Sequence, residues 1–170
     1  MSVPAMSPPT DAALRALALS LAERMLARRW HLATAESCTG GWIAKVVTDL
    51  AGSSGWFEAG LVTYSNQAKT RLLGVSPATL ERHGAVSEAT VREMVAGALA
   101  VTEADVAVAV TGIAGPGGAT PGKPAGSVWI GWQRRGAEDG ARLYRFEGDR
   151  EAVRRLTVQM ALQGLLASID

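Results

Sequence analysis

From Asp11 onward apolar residues return at helical spacing, Leu14, Leu17, Leu21 and Met25, and the pair Arg28-Arg29 suits the negative end of a helix dipole. The pattern then shortens. His31 to Ala35 reads as a buried strand, followed by a helix from about Thr39 to Leu50, the turn Ala51 to Gly55 and a second strand near Glu58 to Ser65. Asn66 to Leu73 predicts a short helix, and Val91, Met94, Val95, Ala98 and Leu99 form the apolar face of a longer one that Ser87 can cap. In Asp105 to Thr111 valines alternate with alanines, the composition of a strand buried on both faces. A glycine- and proline-rich loop, Gly112 to Gly126, leads to strands Ser127 to Trp132 and Arg142 to Phe146 around a polar tip, and a last helix starts near Asp149 and buries Val153, Leu156 and Met160. Strands that first alternate with helices and then pair as a hairpin predict a single three-layer α/β/α domain on a mixed β-sheet, residues 11–170, behind a flexible tail at residues 1–10.

Composition narrows the functional classes. The chain has 170 residues, 48% hydrophobic and 19% charged, with net charge +1, which fits one compact soluble domain. The balanced charge supplies no nucleic-acid-binding face, since Arg28-Arg29, Arg134-Arg135 and Arg154-Arg155 are scattered along the sequence. Cys38 is the single cysteine, so an intrachain disulfide and a cysteine-based metal site are excluded, and a reducing cytoplasm is the expected compartment. His31 and His83 have no partners at metal-ligand spacing, so no metal site is expected. The N-terminus lacks the basic-then-apolar order of a signal peptide, and no apolar run reaches the ~20 residues that span a membrane.

Candidate chemistry falls in three places. The stretch Ala35-Glu36-Ser37-Cys38-Thr39-Gly40-Gly41 follows a strand and opens a helix, so its amides can bind phosphate or a developing oxyanion, while Ser37 or Thr39 can equally serve as a plain cap. Cys38 there is either a nucleophile activated by the helix start or a small buried residue. The second place is Gly52-Ser53-Ser54-Gly55 with Tyr64 and Lys69, which puts a hydroxyl, a phenol and an amine within a short span. A lysine whose pKa is lowered by burial can activate serine; the competing reading makes the serines turn residues and Lys69 a solvated helix residue. The third is the loop after Thr111. Its Gly117 and Gly122-Lys123 have Walker spacing, but Pro124 replaces the magnesium-binding hydroxyl, and Thr120 stands where a dinucleotide fingerprint needs its third glycine. A rigid wall beside a ligand, or a structural connection, remains.

Taken in order, AESCTGGWIAKVVTDLAGSSGWFEAGLVTYSNQAK, HGAVSE, TGIAGPGGATPGKPAGSVWIG and FEGDREAVR resemble the CinA C-terminal domain family, the nicotinamide mononucleotide deamidases, over residues 12–168. The resemblance implies a three-layer α/β/α homodimer that hydrolyses the carboxamide of nicotinamide mononucleotide to nicotinic acid mononucleotide and ammonia, with no metal or cofactor. It places Ser54 as nucleophile, Lys69 as general base and Tyr64 beside them, with Ser37 close by as the other nucleophile candidate. It also implies that Thr111, with Gly112 and the following loop, borders the nicotinamide and that Arg150, at the opening of the last helix, holds the 5′-phosphate. Thr39, Gly40 and Gly41 are expected to contact the substrate through the helix start. The family's name also points to competence and DNA damage, so a non-enzymatic interaction or nucleotide-binding module is the alternative.

Overall fold

The computed structural model describes residues 5–170; the first four residues of the expected tail lie outside the described residues. The remainder of that segment is attached: Met6 packs against the core, Pro9 is buried, and Thr10 caps the first helix by accepting from Ala13 N. This helix, α1 (Asp11–Arg28), ends with Arg29 in the left-handed region at φ 56°, where its amide reaches back to the last carbonyls of the helix.

Strands β1 (Leu32–Glu36), β2 (Phe57–Val62), β3 (Val106–Gly112), β4 (Ser127–Arg134) and β5 (Gly140–Arg145) form one sheet in the order β2-β1-β3-β4-β5. β1 pairs parallel with both β2 and β3, whereas β3–β4 and β4–β5 are antiparallel, so the sheet is mixed as expected. The alternating residues of β3 divide the core. Val106, Val108 and Val110 face one cluster, with α1, α2 (Trp42–Thr48) and α6 (Arg150–Ser168). Ala107 and Ala109, with Ala33 and Ala35 of β1, face the other, filled by Val91, Met94, Val95 and Ala98 of α5 (Glu88–Val101) and by Leu73 of α3 (Asn66–Leu73). Small side chains on this second face let α5 approach the sheet closely, and a Cβ on Gly131 of β4 would lie 3.3 Å from Val91 O.

The boundaries moved where backbone requirements overrode the apolar pattern. The helix expected from Thr39 starts at Trp42, because Gly40 (φ 61°) and Gly41 (φ 100°) are left-handed and serve as a turn. A further helix, α4 (Pro77–His83), fills the stretch between α3 and α5; Ser76 caps it and Pro77 stands at its first turn. Ser87 caps α5 through Thr90 N, and Asp149 caps α6 through Ala152 N. Three parallel strands therefore end on one edge of the domain: Ser37 follows β1, Thr63 and Tyr64 follow β2, and Thr111 and Gly112 close β3.

Candidate active site

The carboxyl ends of parallel strands are where α/β sheets place ligands, and a cavity of about 260 Å³ opens there. It is lined by Ser37 and Cys38, by Tyr64 and Lys69, by Ala85 and Val86, by Thr111 to Gly115 with Gly117 and Gly118, and by Arg150. Its cations are Lys69 and Arg150, and no carboxylate lines it among the described residues. A larger cavity of about 630 Å³ lies between the β4–β5 hairpin and the end of α6, but its Asp139 and Asp170 are committed to Arg92 and Arg24, and no lysine lines it. Volume alone does not make a catalytic site; the smaller cavity is the one lined by Ser37 and the lysine bonded to it.

Lys69 is 1% exposed, although it sits on a short helix near the sheet edge. Ser65 caps α3 at Ala68 N and turns the helix so that Lys69 runs inward beneath the end of β2. Its Nζ donates to Thr63 O at 2.8 Å, Tyr64 O at 3.0 Å and Ser37 Oγ at 3.0 Å. Burial pushes its pKa below the ordinary lysine value, and charge on Cys38 would oppose that. That charge is not formed near neutrality, because burial, with the Glu36 carboxylate beside it, pushes the Cys38 thiol up to about 12. Cys38 is thus a buried, protonated neighbour of the serine, and the nucleophile reading for it loses its basis.

The hydrogen-bonding capacity of an amine gives this arrangement its chemistry. Two of the three acceptors around Nζ are carbonyl oxygens, which can only accept; the third, Ser37 Oγ, is a hydroxyl that can also donate. A neutral Lys69 therefore commits its two N–H groups to Thr63 O and Tyr64 O and turns its lone pair toward the Ser37 proton.

Ser54 is placed elsewhere. It lies exposed in a 3-10 turn, Ser53–Gly55, that precedes β2, and Leu32 N donates to Trp56 O at the start of β1. Ser37 follows the other end of β1, so the five residues of that strand separate the two serines by about 15 Å or more at ~3.3 Å per residue. The expected Ser54–Lys69 pair is corrected on this ground: both flank β2, but at opposite ends.

The helix-start expectation is corrected as well. Thr39, Gly40 and Gly41 do not line the cavity, and Thr39 is fully buried with its hydroxyl donating to Glu36 Oε1 at 2.6 Å. The amides of Ile43 and Ala44 donate to the two Glu36 oxygens at 2.9 and 3.1 Å, so a side-chain carboxylate already occupies the start of α2. Thr111 and Gly112 do border the cavity. The Thr111 hydroxyl donates to Ala85 O at 2.8 Å, which ties the Ala85–Val86 segment to the end of β3. Gly112 is fixed by space, since a Cβ there would meet Val128 Cγ2 at 2.6 Å and Ser127 O at 2.9 Å. Arg150 spans the opening and donates to Gly115 O at 2.9 Å and to the Tyr64 hydroxyl at 3.2 Å. Among the described residues no cluster of three or more His, Cys, Asp or Glu could hold a metal ion.

Beside this geometry, residues 14–169 match the model of the CinA C-terminal domain, and that match decides the family. The chain belongs to the CinA C-terminal domain family. It is 51% identical over 156 residues to the nicotinamide-nucleotide amidohydrolase PncC of Escherichia coli (strain K12), covering 92% of this chain and 94% of that protein. A protein of the same name from Pseudomonas putida is 52% identical, covering 88% and 93%. Among solved structures, the competence/damage inducible protein CihA from Agrobacterium tumefaciens superposes with a TM-score of 0.90 at 42% identity, covering 94% of this chain and 96% of that one. As a CinA C-terminal domain the chain shares its overall fold with this solved neighbour over nearly its whole length.

The Gly117-Gly118 turn, part of the loop expected beside the pocket, lines the cavity, as do Ala85 and Val86, which were not singled out as contacts from the sequence. Nothing in the local pattern of HGAVSE marks them; they reach the site because Thr111 and α5 hold that segment against β3. Glu36 carried a signal, since an acidic residue ending an otherwise apolar strand must find donors if the strand is buried.

Proposed function

We infer that this chain is a nicotinamide-nucleotide amidohydrolase, converting nicotinamide mononucleotide to nicotinic acid mononucleotide and ammonia, with Ser37 as nucleophile and Lys69 as general base. The observation that carries the residue roles is the buried Lys69 Nζ–Ser37 Oγ contact at 3.0 Å, in a cavity whose lining has two cations and no carboxylate. Such a cavity favours an anionic substrate and a lysine that gives up its proton. Its volume of about 260 Å³, just below the ~300–1,000 Å³ typical of ligand pockets, suits a small ligand with its charged end at the opening.

In this mechanism Ser37 Oγ attacks the carboxamide carbon as its proton passes to Lys69 Nζ. The tetrahedral intermediate collapses when Lys69 returns that proton to the amide nitrogen, which leaves as ammonia with the acyl group esterified to Ser37. Water then attacks the ester, again giving a proton to Lys69, and the acid is released as Ser37 recovers its hydroxyl. Arg150 is the phosphate contact at the opening, with Tyr64 beside it, and Thr111 and Gly112 bound the pyridine end. Each role is consistent with a position on the cavity wall.

The test is incubation of the purified protein with nicotinamide mononucleotide, with ammonia and the acid product measured together. Stoichiometric formation of both, abolished in Ser37→Ala, supports the reading; turnover that survives Ser37→Ala removes Ser37 from the nucleophile role. A homodimer and a cytoplasmic location belong to the same proposal, and sedimentation equilibrium checks the first. Among the described residues no helix is long and apolar enough to cross a membrane.

A further inference from the structure

Glu36 is a fully buried carboxylate next to the proposed nucleophile, and the reaction makes no use of it. Its Oε1 accepts from Thr39 Oγ1 at 2.6 Å and Ile43 N at 2.9 Å, and its Oε2 from Ala44 N at 3.1 Å and Thr34 Oγ1 at 3.4 Å. These donors come from β1, from the turn after Ser37 and from the first turn of α2, so one side chain joins all the pieces that fix the serine. The outside of the same turn is held separately: Arg154 of α6 donates to Cys38 O and Thr39 O, each at 3.1 Å. Ser37 itself is tied to β3 through its amide and Val110 O, and Gly40 N closes the turn on Ser37 O.

We propose that Glu36 is a positioning residue for the amidohydrolase reaction. Its carboxylate acts as an internal anion at the start of α2 and locks the Ser37–Gly41 turn so that the serine oxygen stays within hydrogen-bond reach of Lys69, without Glu36 touching substrate. This rests on the assignment of Ser37 as nucleophile. The carboxylate is needed rather than any polar group of its size. Both oxygens accept from a backbone amide, so in Glu36→Gln the NH2 group faces an N–H in either orientation, and the turn must shift to relieve it.

The experiment compares wild type, Glu36→Gln, Thr39→Val, Thr39→Ser and Ser37→Ala, with each rate referred to the folded fraction measured by circular dichroism. Two readouts are taken: steady-state hydrolysis of nicotinamide mononucleotide, and the rate at which a sulfonyl fluoride inactivates the serine. In Glu36→Gln both kcat and the inactivation rate are expected to fall by roughly ten- to a hundred-fold, the scale of a displacement near 1 Å at a reacting group. KM should stay within about three-fold, because substrate contacts are untouched. Thr39→Val should lower kcat in the same way, and Thr39→Ser, which keeps the hydroxyl, should restore it. A purely structural Glu36 would lower the melting temperature and leave kcat per folded molecule unchanged; that result overturns the proposal, as does equal activity of Thr39→Val and Thr39→Ser. If Ser37→Ala stays active, the nucleophile assignment itself has failed. If Ser37→Ala is inactive and Glu36→Gln is folded with wild-type kcat, only the Glu36 proposal has failed.

Discussion

Replacing Lys69 with methionine keeps most of the length and apolar stem of the side chain and deletes the amine bonded to Ser37 Oγ, the proposed general base. In the wild type Nζ sits 3.0 Å from Ser37 Oγ and is anchored by two carbonyls, so the base is held in place before substrate arrives. A positioned general base contributes about 10²–10⁴-fold, so we predict that Lys69→Met lowers kcat by that factor, or ~2.7–5.4 kcal/mol of barrier. The pH profile carries the sharper test. The proposed mechanism needs the neutral amine, so kcat/KM should rise with pH through the folded pKa of Lys69, which burial places below the ordinary lysine value. Stability follows the same sign. Between that lowered pKa and the unfolded value of ~10.4 the unfolded chain binds more protons, so the Lys69 contribution to stability grows as pH rises across that interval. The melting temperature of wild type relative to Lys69→Met should therefore shift in favour of wild type as the pH is raised. Steady-state ammonia release from pH 5 to 11, with melting curves over the same range, measures both. Lys69→Met within ten-fold of wild type, or an acid limb at the pKa of a solvated lysine, would refute the base assignment.

Ser37→Ala should be inactive to the limit of the ammonia assay while Ser54→Ala, exposed at the far end of β2, keeps wild-type kcat; the reverse result would return the nucleophile role to Ser54. Arg150→Ala should raise KM for nicotinamide mononucleotide by roughly 10- to 150-fold, from ~1.5–3 kcal/mol of charge-assisted contact, and barely alter turnover of the riboside that lacks phosphate. Equal effects on both substrates would make Arg150 a strut between Gly115 and Tyr64. Cys38→Ser should remain active, because a thiol pushed up to about 12 is protonated at neutral pH; a covalent thioester trapped on Cys38 by mass spectrometry would contradict this.

The layers and the mixed sheet were legible because β3 alternates valine and alanine over a buried run, and because Ser87 and Asp149 stand where helices begin. The start of α2 was misplaced by a simple ambiguity. Thr39-Gly40-Gly41 suits a capped helix start and a left-handed turn equally well, and only the positive φ angles distinguish them. The proposed reactive pair was half legible. Lys69 was marked as a lysine in need of burial, and its 1% exposure supplies that. Its serine could not be chosen from spacing, since Ser54 is fifteen positions away in sequence and Ser37 thirty-two, while parallel pairing of β1 with β2 reverses their order in space.

Electrostatics explains why the acidic residue next to the serine is compatible with Lys69 as the proposed base. A carboxylate facing the cavity would hold Lys69 in its charged form and remove the lone pair on which the reaction depends. Glu36 is adjacent to Ser37 in sequence, yet alternation along β1 turns its side chain away from the site and into the amides of Ile43 and Ala44. Its charge is thereby satisfied by hydroxyls and backbone dipoles instead of by the amine. Arg150 is left as the cation at the opening of the cavity, bonded only to the carbonyl of Gly115 and the phenol of Tyr64 among the described residues, neither of which neutralises it. The two cations of the site thus differ in setting: Lys69 is buried, which lowers its pKa, while Arg150 lies exposed at the opening with its guanidinium on two neutral acceptors.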